Sequence, residues 1–69
     1  MIIAEMWSES RTWISKGKTE EDAKRAILYK WNKEQDRFGL DNKFSTTGQL
    51  EEHYDISIYD LTNDDCIVY

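Results

Sequence analysis

His53 is the one histidine of this 69-residue chain, and it stands among carboxylates, with Glu51, Glu52 and Asp55 all within two residues of it. An imidazole oriented by a carboxylate can act as a general base, and the same groups can ligate a metal ion. Against that chemistry, no second histidine stands at helical spacing, and a lone imidazole on a polar segment is more often a solvated surface group. A small metal-dependent or other enzyme using His53 and its neighbouring carboxylates is therefore the alternative reading. Cys66 can be drawn with His53 as nucleophile and base, but it opens the apolar stretch "CIVY", where a thiol is usually buried and inert. Asp60, Thr62 and Asp64 copy the alternating start of a calcium loop, without its central glycine or closing glutamate. Glycine-rich phosphate loops and paired cysteines are also missing. The expectation is a protein with no catalytic residues, no metal and no cofactor.

The carboxylates can do something else, which is to meet a basic surface. Residues 1–42 hold eight basic and eight acidic side chains and cancel. From Lys43 onward one lysine faces Glu51, Glu52, Asp55, Asp60, Asp64 and Asp65, so the whole net charge of -5 resides in the last third. Such a surface repels nucleic acid phosphates and attracts proteins with basic clefts. Basic patches interleaved with aromatics, as direct nucleic acid binding needs, are absent. The partner-binding set expected is Glu51, Glu52, Asp55, Tyr59, Asp60, Asp64 and Asp65, with carboxylates for steering and tyrosine as a desolvated anchor. These acids could equally do no more than solvate a helix and a turn and keep a small domain soluble.

The elements that must position these groups are legible in the periodicity. "MIIAEMW" alternates Ile2, Ala4 and Met6 with Ile3, Glu5 and Trp7, a strand pattern. "SES" makes a turn, and "RTWISK" resumes with Thr12 and Ile14 against Arg11, Trp13 and Ser15, completing a hairpin. An exposed pair of tryptophans on that hairpin, Trp7 and Trp13, is a candidate contact anchor. After Gly17, Thr19 and Asp22 form a capping-box pattern, and acids crowd the first turn of a helix ending near Asp36, before Gly39. Its apolar stripe is Ala23, Ala26, Ile27 and Trp31, with Leu28 on the flank. Leu40 and Phe44 should pin the following loop, and Thr46 or Thr47 should cap a short helix carrying Leu50 and Tyr54 on one side. Residues 56–61 and 66–69 read as strands three and four, joined by the turn "TNDD".

The order ββααββ predicts one α+β domain over residues 1–69, a two-layer antiparallel sheet of about four strands packed against one main helix. A chain this short buries only about 60% of its unfolded surface, so nine aromatic residues are needed largely for the core and little remains to wall a deep pocket. The lone cysteine and the absence of a long apolar run point to a reducing cytoplasm and no membrane span. The strand "CIVY" is a candidate edge for a homodimer.

A very short acidic α+β domain without a catalytic motif resembles, in type, the small phage-encoded inhibitors of host defence, above all the anti-CRISPR proteins. That resemblance implies a non-enzymatic protein that occupies the basic nucleic-acid channel of a host effector such as a CRISPR effector, in the host cytoplasm. The segment "SKGKTEEDAKRAI" is also similar to HicB-type antitoxins. It lacks the glycine-rich, proline-containing strand that precedes the turn in that family, and no DNA-binding segment follows.

Overall fold

The structure is a computed structural model and describes residues 1–61. It is α+β, with strands β1 (Ile2–Trp7), β2 (Thr12–Gly17) and β3 (Ile56–Asp60) and helices α1 (Glu20–Arg37) and α2 (Thr47–His53). The described strands make an antiparallel sheet of three in the order β2-β1-β3, not the four expected. The fourth, residues 66–69, and the "TNDD" turn lie outside the described residues. The central strand is therefore β1, with Glu5 opposite Ile14 on one side and Ser57 on the other.

The helix α1 begins as its sequence dictates. Thr19 has extended backbone, and its Oγ1 accepts the Asp22 N–H at 3.1 Å, while Glu20, Glu21 and Asp22 sit at the positive end of the dipole. It ends in a Schellman arrangement, with the Gly39 N–H donating to Asp36 O and the Leu40 N–H to Gln35 O, across Gly39 at φ 68°. Gly17 matters for a different reason. A Cβ there would fall 2.6 Å from the Ala23 nitrogen, so only glycine lets the first turn of α1 close onto the end of β2. Ser15 seals the same junction by donating its hydroxyl to Ala23 O at 2.5 Å.

One face of the sheet carries α1. Ala4 and Met6 from β1, Ala23, Ile27, Leu28 and Trp31 from α1, and Phe44 and Leu50 form the core, with Trp13, Tyr54, Ile56 and Ile58 packed at its border. Two expectations need correction here. Ala26 is exposed and belongs to the outer surface of α1, whereas the buried stripe runs on past Trp31 to Glu34 and Gln35. Leu40 is 56% exposed, because it is the residue after the Schellman glycine and contributes its backbone N–H rather than its side chain.

The loop after α1 is pinned by Phe44 in the core, as expected, and also by polar groups of the helix. The Asn32 amide donates to Phe44 O at 2.8 Å and accepts the Phe44 N–H at 3.0 Å, and the Trp31 indole donates to Asn42 O at 2.7 Å. Helix α2 is capped by Thr46, whose Oγ1 accepts the Gln49 N–H at 3.1 Å, and it buries Leu50 completely. Among the described residues no helix is long and apolar enough to cross a membrane.

Candidate functional site

Strand alternation sends the odd-numbered residues of β1 away from α1. Trp7, opposite Thr12, is 68% exposed, and Ile14, opposite Glu5, is 67% exposed. Ile3 sits between Lys16 and Tyr59 on the same face. No helix of the described residues packs there. Glu5 is nonetheless buried at the centre, and the Tyr59 hydroxyl donates to its Oε1 over a long 3.5 Å. Glu5, Trp7, Asp55, Ser57 and Tyr59 line a shallow depression of about 400 Å3. Chemically this is an aromatic and aliphatic platform around carboxylates, a surface suited to a partner that brings positive charge on apolar stems.

The expected pair of exposed tryptophans does not exist. Trp13 pairs with Met6, not Trp7, and therefore points to the helix side, where its ring lies 5.4 Å from that of Trp31. The reason is register: residues six apart on the two arms of this hairpin fall on opposite faces once Trp7 pairs with Thr12.

The predicted acidic set is divided rather than gathered. Glu51, on α2, forms an ion pair with Lys24 of α1 at 2.6 Å. Its hydrogen bond is the main cause holding the Lys24 ammonium above its usual pKa of 10.5. Glu52 is exposed on α2. Asp55 and Tyr59 join Glu5 and Trp7 in the depression. Asp60 lies at the far end of β3, opposite Ile2. Asp64 and Asp65 lie outside the described residues. His53 is exposed at the end of α2, with its ring 5.0 Å from Phe44, and among the described residues no three histidine, cysteine or carboxylate side chains are placed to hold a metal.

A second concavity lies on the helix side, between the β1–β2 turn and the loop after α1. This groove of about 540 Å3 is walled by Trp13, Trp31 and Tyr54, with Phe38 and Leu40 exposed at its rim. Trp31 and Tyr54 rings are 5.2 Å apart. Two polar residues that sequence reasoning missed line it. Glu34 is 8% exposed, with its carboxylate 3.2 Å from Lys30, 3.8 Å from Arg11 and 3.9 Å from Arg37. Gln35 is 7% exposed, and its Oε1 is buried with no hydrogen-bond partner. A signal was present: both residues stand three and four positions after Trp31 and so continue the buried stripe.

Comparison with known proteins found no matching family model, no matching curated protein and no matching solved structure.

Proposed function

We propose that this chain is a non-enzymatic protein-binding inhibitor that docks through the sheet face opposite α1. The observation that carries the reading is the pair of large apolar side chains, Trp7 and Ile14, left two-thirds exposed beside Glu5, Asp55 and Tyr59. Exposed tryptophan next to carboxylates is a costly surface for a small acidic protein unless it is covered in use, and tryptophan and tyrosine are the side chains that most often anchor protein interfaces. The net charge of -5 selects a basic partner and speeds encounter with it. In its sharpest form the partner is a nucleic-acid-handling effector of a host defence system, such as a CRISPR effector. On the sheet face Asp55, beside Glu5, would then stand in for a phosphate in its basic cleft, as an anti-CRISPR protein of phage or mobile-element origin would; Glu52 on α2 and Asp60 at the end of β3 lie off that face and would add only long-range attraction. Glu51 contributes less, because Lys24 already neutralises it.

The test is a tagged pull-down from bacterial lysate at low and high salt, run in parallel with Trp7→Ser and Asp55→Lys. The expected result is a nucleic-acid-handling protein retained at low salt, released at high salt, and lost with either variant. Equal recovery by the wild type and both variants would falsify the sheet-face assignment.

A further inference from the structure

We infer that the groove walled by Trp13, Trp31 and Tyr54 is a receptor for a guanidinium group, that of an arginine side chain on a partner protein. The groove lies on the helix side of the sheet, away from Trp7, so its occupancy does not depend on the docking proposed above. Three observations converge on this ligand. The first is the orphaned acceptor: Gln35 Oε1 is buried without a partner, and a buried acceptor left unsatisfied is unfavourable until an N–H reaches it. Gln35 is among the residues that line the groove.

The second is charge. The groove is lined by the carboxylates Glu9, Glu34 and Asp41 and by Arg11; Glu34 is already ion-paired with Arg11, Lys30 and Arg37, so Glu9 and Asp41 are the acids that meet an incoming cation. The third is the behaviour of Arg11. The Arg11 guanidinium stands 5.9 Å from the centre of the Trp13 ring with Nη1 3.8 Å from Glu34, on a side chain 54% exposed. The chain's own arginine thus already exploits the combination of indole face and carboxylate, at the mouth and not in the interior. A second guanidinium entering deeper has aromatic faces for its plane, an amide oxygen and carboxylates for its five N–H donors, and the exposed Phe38 and Leu40 for its methylene stem. A lysine ammonium, which is more strongly hydrated and cannot stack, fits these walls less well.

The probe is N-acetyl-arginine amide, titrated into the intact protein at fixed ionic strength while the three tryptophan indole N–H signals are followed by NMR. The Trp13 and Trp31 signals are expected to move saturably in the millimolar range, with the Trp7 signal still. N-acetyl-citrulline amide, of the same shape without the charge, is expected to bind at least about tenfold more weakly, and N-acetyl-lysine amide likewise. Gln35→Met keeps the volume, removes the orphaned oxygen, and is expected to melt at a higher temperature than the wild type while binding the probe at least about tenfold less. The inference is overturned if the arginine probe moves no indole signal saturably, if all three move together, or if citrulline binds as well as arginine. A folded Gln35→Met that binds undiminished overturns it too.

Discussion

Trp7 and Trp31 show how differently one residue type is used. Trp31 is 6% exposed, touches Trp13, Phe44 and Tyr54, and donates its indole N–H to the loop. Trp31→Ala is expected to cost about 3–5 kcal/mol in urea denaturation, a large part of the total stability of a domain this size. Trp7→Ser, by contrast, should shift the midpoint by no more than about 0.5 kcal/mol while removing the proposed anchor. A well-folded Trp31→Ala protein would refute the placement of α1. Lys24 offers a pH test. Its pKa is raised, chiefly by the Glu51 hydrogen bond, so the stabilisation is complete below the unfolded value of 10.5 and is lost as pH rises through the higher folded value. Thermal melts should therefore fall in the alkaline range, and Glu51→Gln should flatten that fall. Near neutrality the variant should cost only about 0.2–1 kcal/mol, since the pair is partly exposed.

The junction between β2 and α1 is where one element sets the position of the next. Gly17 allows the close approach, Ser15 bonds across it and Thr19 caps the helix immediately after it. Gly17→Ala places a methyl against backbone, not against a side chain that can swing away, and is expected to destabilise by about 1–3 kcal/mol. Thr19→Ala should cost about 1 kcal/mol through the lost cap. Denaturant midpoints with unchanged slopes would assign both losses to the folded state. The loop after α1 is held in the same manner by Asn32, so Asn32→Ala should loosen residues 42–44, read as faster amide exchange at Phe44.

Taken together, the fold leaves two surfaces with opposite origins. Among the described residues the sheet face is left open because α1 covers only one side of the three strands. The groove lies where the β1–β2 turn and the loop after α1 meet Trp13, Trp31 and Tyr54. Any partner association steered by a net charge of -5 should weaken steeply with ionic strength, mainly through its on-rate. Kinetics at low and high salt that differ only in dissociation would argue for apolar anchoring alone.

Local chemistry accounts for most of what could be read in advance. The cap at Thr19, the stop at Gly39, the alternation in β1 and the identity of Trp31 as core follow from backbone preferences and from the periods 2 and 3.6, which act between near neighbours in the chain. Residues without a local signature behaved otherwise. That Trp13 faces Trp31 while Trp7 faces away depended on the hairpin register, and the scatter of Glu51, Asp55 and Asp60 depended on α2 packing against α1 while β3 pairs with β1. The burial of Glu34 and Gln35 likewise required three cations and an aromatic wall drawn from distant segments. Charge and hydrogen-bond complementarity act through space, so residues far apart in the chain become a site only when the strands and helices have docked.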